Sequence, residues 1–470
     1  MRTYTFPMAK AFDEPAGQPP PALTAGERGS AAAIAVGLLL LLSALVGAPL
    51  GRTWLGPAAT FGLLTGGGVA WFWLRYRGTT PGIKHNGLFF SGARSRGALG
   101  WTLGVLITGF YVLLYWFPSF IEGGVRLVDP VSAALARKPA DRWFLYGFLY
   151  TMSMIVFGVR MLMKYRHNRY HLIRTASVVV FQLGLAFLIP QLLKALSQPE
   201  FYFTYFWPLK PDYLYPDGVR GLAQHPGGIG IFMVFWGAVM TFVATPLLTY
   251  FFGKRWYCSW VCGCGGLAET VGDPFRHLSD KSSGAWKIER RLIHSILVII
   301  TLTTALLWLN EAKGGAVLGS LSFSFRKHYG FYIGMLFSGV AGVGFYPILG
   351  SRVWCRFGCP MAAILGLLQR FFSRFRISTN GGQCMSCGNC STHCEMGIDV
   401  RAYAQRGENI VRASCVGCGV CAAVCPRGVL RLENGRTHKD RYPGADQPLR
   451  ALLQSLGLAP RPRGRNRYFT

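Results

Sequence analysis

Long apolar segments recur along the first three quarters of the chain, separated by polar linkers. Each is about 17–22 residues long, the length that a helix needs to cross a hydrocarbon core of roughly 30 Å. The pattern predicts a membrane all-α fold with about eight transmembrane helices, or seven if one of the weaker segments does not span. The predicted spans are 31–49, 56–74, 98–119, 143–163, 176–193, 229–252, 292–309 and 331–349.

The linkers differ in their content of basic residues. Linkers 75–97, 164–175 and 253–291 hold sixteen lysines and arginines, whereas the four alternate linkers hold eleven over a somewhat greater length. Because basic loops stay on the cytoplasmic side, the bias predicts an inner (cytoplasmic) membrane protein with both termini and every cysteine in the cytoplasm. That compartment is reducing, which suits metal thiolates better than disulfides.

Composition agrees with a membrane protein. The chain has 470 residues, of which 51% are hydrophobic and 15% charged, and its mean hydropathy is +0.30. These values exclude a disordered chain and an ordinary soluble one. The net charge of +29 is explained by basic loops beside anionic lipid headgroups, so we expect membrane lipid and no nucleic acid as a partner.

Eight of the thirteen cysteines form two runs with the same spacing, C-x2-C-x2-C-x3-C. In two-cluster ferredoxins, each such run supplies three thiolates to one [4Fe-4S] cluster and its fourth to the other. Structural zinc also uses CxxC pairs, but rarely this arrangement repeated twice. Glu395 stands where a proline usually follows the fourth cysteine. The predicted ligand sets are Cys384, Cys387, Cys390 and Cys425 for one cluster, and Cys415, Cys418, Cys421 and Cys394 for the other.

A second repeat has the form Arg-x-aromatic followed by C-x3-C. It ends at Cys262 after the sixth predicted span and at Cys359 after the eighth. Both preceding helices run in the same direction, so both pairs reach the same face, and the x3 spacing puts two thiols on one side of a helical turn. We predict an additional Fe–S centre or metal site here, the alternative being free buried cysteines. Its candidate ligands are Cys258, Cys262, Cys355 and Cys359, with Cys264 as a spare.

Other candidate residues carry weaker signals. His167 and His171 have the i, i+4 spacing of haem or metal ligands, but their basic neighbours favour a solvated face. The aromatic loop 201–207 could dock a quinol or a periplasmic partner, and an interfacial aromatic belt explains it as well or better. No catalytic residues are predicted, because the sequence has no phosphate loop with its lysine, no HExxH and no catalytic-triad arrangement.

These patterns divide the chain into seven parts. The boundaries are a disordered N-terminal arm (1–30), transmembrane helices 1–6 (31–252), a cytoplasmic cysteine loop (253–290), transmembrane helices 7–8 (291–350), the second CxxxC motif with a linker (351–379), a two-cluster ferredoxin domain (380–435) and a basic tail (436–470).

Paired CxxxC motifs followed by tandem cysteine runs resemble the NapH/NosR-type membrane polyferredoxins, over about residues 230–435. The resemblance implies electron transfer between the cytoplasmic side or the quinone pool and an extracytoplasmic acceptor. It also implies two [4Fe-4S] clusters in a small cytoplasmic α+β ferredoxin-like domain. The sequence departs from the family pattern in its first motif, which continues Gly263-Cys264 where the family has proline.

The function expected from these features is a membrane-bound iron–sulfur relay. It would connect a soluble cytoplasmic carrier or the quinone pool with a partner oxidoreductase, and quinol dehydrogenase activity is left open. A basic surface suits an acidic carrier, because opposite charges speed encounter. The alternative is an accessory or maturation factor for a respiratory metalloenzyme. Deleting such a factor would leave its client metal-deficient, whereas deleting a relay would leave the client intact but unreduced.

Overall fold

The computed structural model of the protein describes residues 22–83, 96–319 and 321–434. The basic tail at 436–470 and most of the predicted N-terminal arm lie outside the described residues. Within them, helices dominate, and the strands form one small sheet near the C-terminal end.

Six helices among the described residues are long and apolar enough to cross a membrane. Large apolar side chains such as Val105 and Phe235 are 67% and 64% exposed on their outer surfaces, as expected where lipid replaces water around a helix bundle. The chain is therefore a multi-pass membrane protein. The helices are Ala25–Leu45, Ala98–Trp116, Arg142–Lys164, Arg169–Ala195, Ile229–Phe252 and Ser283–Ala312.

The second and eighth predicted spans are not among these six. Leu55–Arg77 is a helix of 23 residues, but Gly66, Gly67 and Gly68 reduce its apolar content. The eighth segment, predicted at 331–349, is interrupted by a turn between Gly330–Ala341, which continues helix Leu321–Tyr329, and Tyr346–Leu349. The count of eight spans therefore stays a prediction.

Small residues allow the first two helices to pack closely. A Cβ on Gly37 would lie 2.8 Å from Cγ of Leu64, and one on Gly67 would lie 3.0 Å from Cγ1 of Ile34. Close backbone approach of this kind is a common way for helices to associate in a bilayer. At one end of the two helices, Glu27 and Arg75 form an ion pair of 3.3 Å.

Short helices fill the connections. On the side away from the cysteines they are Leu50–Arg52, Pro118–Ile121, Glu122–Leu127, Asp129–Ala136, Pro211–Leu214 and Pro216–Ala223. On the cysteine side they are Arg255–Cys258, Gly263–Thr270, Asp273–Leu278, Trp354–Gly358 and Pro360–Phe372. Only the last of these is an apolar helix of intermediate length.

The C-terminal region, residues 375–434, contains both strands. Strand β1 (Phe375–Thr379) pairs antiparallel with β2 (Leu430–Asn434), with Ile377 opposite Leu432. Between them lie the short helices Gly381–Gln383, Asn389–Thr392, Val400–Arg406 and Val420–Ala423. β1 precedes residue 380, in the segment predicted as a linker, and its five residues are all buried. It is buried because it lies between β2 and the C-terminal end of helix Ile229–Phe252, where the amide of Arg374 donates to Tyr250 O at 2.9 Å.

The C-terminal region packs directly onto the membrane helices. Tyr170 donates to Gly417 O and Ser259 donates to Val416 O, both at 2.8 Å. One buried cluster of side chains contains Cys258 and Cys355 together with Cys390 and Cys415. The cysteines that the sequence separates into two motif types therefore share a single core.

Candidate metal centres

The eight cysteines of the C-terminal region surround two cavities. Cys384, Cys387, Cys390 and Cys425 line the first. Cys394, Cys415, Cys418 and Cys421 line the second. Among the described residues, no three His, Cys, Asp or Glu side chains come close enough to hold a single metal ion. Four thiols spread around a cavity suit a larger group, and a cubane cluster needs four converging thiolates.

The two cysteine runs share a backbone conformation. Ser386 and Gly417, each just before the second cysteine of its run, have φ of 57° and 64°. Gly388 and Gly419, each just after that cysteine, have φ of 80° and 78° and begin the short helices that carry the third. Left-handed residues at both positions turn the chain tightly, and glycine adopts that conformation without strain.

Most of these thiols are shielded from water. Burial raises the pKa of Cys390 and of Cys415 to about 11, while the backbone amides of Ser391 and Gly417 act against it. Thiolates are the form that binds iron, so the buried thiols need a bound cation to lose their protons. Cys387 is the one cysteine of the thirteen that is exposed. The first cavity therefore has an edge open to solvent, whereas none of the cysteines of the second cavity is exposed.

The two CxxxC motifs are not single helical turns, which corrects the local geometry expected from the spacing. In each, the first cysteine lies in a short helical turn, and the second is the N-cap of the helix that follows. The thiol of Cys359 accepts from the amide of Ala362 at 3.4 Å. Partial positive charge at a helix N-terminus favours a thiolate, but burial and the neighbouring thiols outweigh it at Cys359 and raise the pKa of that thiol.

The two motifs meet in space. Burial raises the pKa of Cys258 to about 12, the charge of Lys254 lowers it, and the neighbouring Cys262 and Cys355 raise it. Arg352 donates to Cys258 O at 3.3 Å and lies 3.7 Å from the Cys355 sulfur. Two cations therefore stand beside these buried thiols and favour their thiolate form against the effect of burial.

Cys264 lies in the first turn of helix Gly263–Thr270 and pairs with Cys262. A hydrogen bond from the Cys264 thiol lowers the pKa of Cys262 against the effect of burial, and the amides of Gly265 and Cys264 lower it further. This arrangement keeps Cys264 close to the candidate ligands, which is what a spare ligand requires.

A buried ion network joins the cysteine sites, and the sequence did not reveal it. Glu395 forms ion pairs with Arg276 at 2.6 Å and with Arg352 at 2.9 Å. Arg352 also pairs with Glu269 at 3.0 Å. Glu395, which replaces the usual proline, thus ties the C-terminal region to Arg352 of the second CxxxC motif and to Arg276 of helix Asp273–Leu278.

The network continues into the membrane helices through Asp273. Its carboxylate pairs with Arg160, Lys164 and Arg276 at 2.7–2.8 Å. Burial alone would raise the pKa of Asp273, but these three charges outweigh it and hold the pKa well below its usual value. Arg276 is only three residues from Asp273, but Arg160 and Lys164 belong to helix Arg142–Lys164, so only the folded chain brings these two cations to the carboxylate.

The network holds more positive than negative charge. Its five cations face three carboxylates, so an excess of two positive charges is buried. Buried charges need partners, and clusters ligated by four thiolates are anionic, so the residues fit the groups expected here. The cations are Arg160, Lys164, Arg174, Arg276 and Arg352, and the carboxylates are Glu269, Asp273 and Glu395. Arg174 also donates to Cys418 O.

Two weaker sequence predictions are wrong for part of their residues, since His167 is exposed as expected and Tyr202 and Phe203 are half-buried. His171 does not lie on a solvated face: it is 1% exposed and stacks on Tyr165, with ring centroids 4.5 Å apart. Phe201 and Phe206 do not form an interfacial belt, since they are 0% and 1% exposed. In both cases the neighbouring helices cover side chains that the local sequence suggests would be exposed.

The loop that carries Phe201 and Phe206 follows helix Arg169–Ala195 and precedes helix Ile229–Phe252. It begins at the helix ends that are distant from the C-terminal region. It folds back between the helices, so that Tyr257 donates to Thr204 O at 2.8 Å. Phe206 stacks on Trp256, with ring centroids 6.5 Å apart. Non-helical backbone at membrane depth is tolerated where protein surrounds it. This loop therefore reaches the first CxxxC motif from the opposite side of the bundle.

Comparison with known families agrees with this geometry. Residues 234–282 and 332–378 each match a 4Fe-4S binding domain, and residues 383–430 match a 4Fe-4S dicluster domain. The first two segments contain the two CxxxC motifs, and the third contains both cysteine runs. The prediction of [4Fe-4S] clusters in ferredoxin-type domains is confirmed.

Several curated proteins are similar over about a third of the chain. One is the "Putative electron transport protein YccM" of Escherichia coli (strain K12), 28% identical over 176 residues, which are 34% of this chain and 46% of that protein. Another is the "Methylamine utilization ferredoxin-type protein MauN" of Methylobacillus flagellatus, 26% identical over 155 residues, 31% of this chain and 50% of that protein. An uncharacterized protein of Methanocaldococcus jannaschii is 26% identical over 34% of this chain and 59% of its own length.

The chain thus spans about half the length of the curated relatives it matches. No solved structure matches it. Taken with the cysteine geometry, these similarities identify a membrane protein with 4Fe-4S domains of the ferredoxin type.

Proposed function

We propose that this protein relays electrons across the membrane boundary, in the manner of the NapH/NosR-type polyferredoxins. Its C-terminal region would exchange electrons with a soluble carrier or the quinone pool, and the CxxxC site would pass them toward a partner oxidoreductase. The observation that carries the proposal is the single buried core that contains both types of cysteine motif. Short distances through packed protein are what electron transfer between centres requires.

The eight cysteines around the two cavities are proposed as the cluster ligands, in the crossed arrangement predicted from their spacing. When bound, the clusters supply one-electron chemistry over a wide range of potentials. The chain's own residues orient the thiols, exclude water from the second cavity and provide the excess positive charge. Cys387 marks the proposed point of contact with a soluble carrier, because it is the exposed cysteine.

Cys258, Cys262, Cys355 and Cys359 are proposed to hold a further centre, with Cys264 as the spare. Support comes from the convergence of the two motifs and from Lys254 and Arg352 beside their thiols. The loop that contacts Tyr257 from the opposite side of the bundle gives this centre a short connection to that side. The cytoplasmic location of the C-terminal region and the division into seven parts remain parts of the proposal.

Iron and acid-labile sulfide analysis, with EPR during redox titration, tests the proposal on anaerobically purified protein. About eight irons per chain are expected from two cubane clusters, and about ten to twelve if the CxxxC thiols hold a further centre. Cys418→Ser should remove signal from a C-terminal cluster, and Cys355→Ser should remove or shift the signal of the further centre. Ser373→Ala, which touches neither site, is the matched control.

Two results would overturn the proposal in distinguishable ways. A colourless or zinc-containing preparation would end it altogether. Eight irons with EPR spectra unchanged in both Cys258→Ser and Cys355→Ser would remove the further centre and leave the two C-terminal clusters.

A further inference from the structure

A third cavity lies at the junction of the membrane helices and the C-terminal region. Its volume is about 290 Å³, and it is enclosed by the start of helix Ser283–Ala312, by helix Pro360–Phe372 and by part of the segment 396–414. Small-molecule sites begin at about this size. Cys355 and Met396 form part of its wall, but it is separate from both cysteine-lined cavities.

The cavity is strongly basic. Five lysine and arginine side chains line it, against a single carboxylate, that of Glu289. That carboxylate pairs with Arg356 at 2.7 Å and accepts a hydrogen bond from Ser414. Four cations are therefore left without a carboxylate among the lining residues: Lys254, Arg290, Arg370 and Arg412.

Two of these cations are held on one aromatic ring. The guanidinium carbons of Arg290 and Arg412 lie 4.9 and 4.8 Å from the ring centroid of Trp286. Arg290 belongs to the membrane helix and Arg412 to the C-terminal region, so this ring holds cations of two different elements on the wall of one cavity. Cations gathered around one cavity attract an anion into it.

The chemistry of these groups selects a phosphate. A guanidinium presents a planar fork of N–H donors that matches phosphate oxygens. Lys254 adds a point charge from the floor of the cavity, where it is 1% exposed and donates to Ala413 O at 3.2 Å.

The surroundings of the cavity identify the source of the phosphate. Ile288 and Leu292 are 59% and 38% exposed on the membrane helix, and Phe371 and Phe372 are 66% and 67% exposed at the end of helix Pro360–Phe372. Apolar side chains beside basic ones at the end of a span form the environment that binds a lipid with an acidic headgroup. We propose that this cavity binds the phosphate headgroup of an anionic phospholipid, whose acyl chains lie on these apolar side chains.

Native mass spectrometry of the full chain in detergent tests the proposal. The protein is exchanged into detergent containing either dioleoyl phosphatidylglycerol or dioleoyl phosphatidylcholine, and retained lipid is counted. We expect phosphatidylglycerol to be retained with an apparent Kd at least about ten-fold lower than phosphatidylcholine. The double variant Arg290→Gln, Arg412→Gln should lose this preference. Arg291→Gln is the matched control, because Arg291 is exposed on the same helix but does not line the cavity.

The single variant Arg370→Gln keeps the test decisive if the double variant does not fold, because Arg370 lines the cavity and is exposed. Its expected effect is a weaker retention of phosphatidylglycerol. Unchanged retention in the cavity variants, or equal retention of the two lipids by the unmodified protein, would overturn the proposal. Displacement of phosphatidylglycerol by inorganic phosphate would assign the cavity to a soluble anion and would also overturn it. Lipid retention is independent of the iron analysis, so this proposal and the proposed function fail separately.

Discussion

Replacing Glu395 by glutamine is the sharpest test of the ion network. The change removes one negative charge from between Arg276 and Arg352, which lie 2.6 and 2.9 Å from its carboxylate oxygens. The side chain of Glu395 is 1% exposed, so water cannot replace it. Removing one partner of a buried ion pair costs about 3–5 kcal/mol. Glutamine keeps the shape and one carbonyl acceptor, so we expect a loss of about 3 kcal/mol in the free energy of unfolding.

The same variant should change a redox potential. Glu395 directly follows Cys394, and a unit charge about 8 Å from a cluster contributes about 2 kcal/mol at an effective dielectric constant of about 20. That energy corresponds to about 90 mV for a one-electron couple. Reduction adds negative charge, so the midpoint potential of the cluster proposed to use Cys394 should rise in Glu395→Gln.

Redox-titrated EPR and thermal unfolding of the purified protein measure the two effects. The matched control is Glu408→Gln, because Glu408 forms an exposed ion pair of 3.0 Å with Arg406 in the same region. An exposed pair contributes about 0–1 kcal/mol, so the control should shift neither quantity appreciably. Equal potentials and equal stabilities in Glu395→Gln and the unmodified protein would refute the reasoning.

Three other outcomes follow from the structure. Asp273→Asn should lower the free energy of unfolding by about 3–5 kcal/mol. The low folded-state pKa of Asp273 adds stability that is fully present above its unfolded-state pKa of about 4. The difference in free energy of unfolding between this variant and the unmodified protein should therefore narrow as the pH falls from that value toward the folded-state pKa; a constant difference would contradict the ion pairs. Gly397→Ala should destabilise the protein by more than about 1 kcal/mol, because Gly397 has φ of 64° and a Cβ there would lie 2.3 Å from Nη1 of Arg356. The control is Gly382→Ala, where a Cβ would meet nothing within 4 Å. Equal melting temperatures of the two variants would count against the left-handed backbone conformation of Gly397. On exposure to oxygen, iron should be released first from the cavity that contains the exposed Cys387, which EPR would follow as the earlier loss of one cluster signal. Simultaneous loss of both EPR signals would show that the solvent exposure of Cys387 does not matter.

The sequence alone predicted the chemistry because cluster ligation depends on local spacing. Each three-cysteine run is delivered by one short loop, so its motif can be read without the fold. The long apolar segments were equally readable, since a helix in lipid must satisfy its own backbone and therefore needs a minimum apolar length. The prediction failed for His171 and Phe201, whose burial depends on helices that are distant in the sequence.

Only the tertiary structure brought the distant parts together. The convergence of Cys258 with Cys355, and the meeting of Asp273 with Arg160 and Lys164, depend on how whole helices pack. A charged residue in a sequence shows neither its burial nor its partner, so Glu395 looked like a simple departure from a motif. In the fold it joins two arginines from different segments, because the low dielectric of the interior makes each buried charge stable only beside an opposite one.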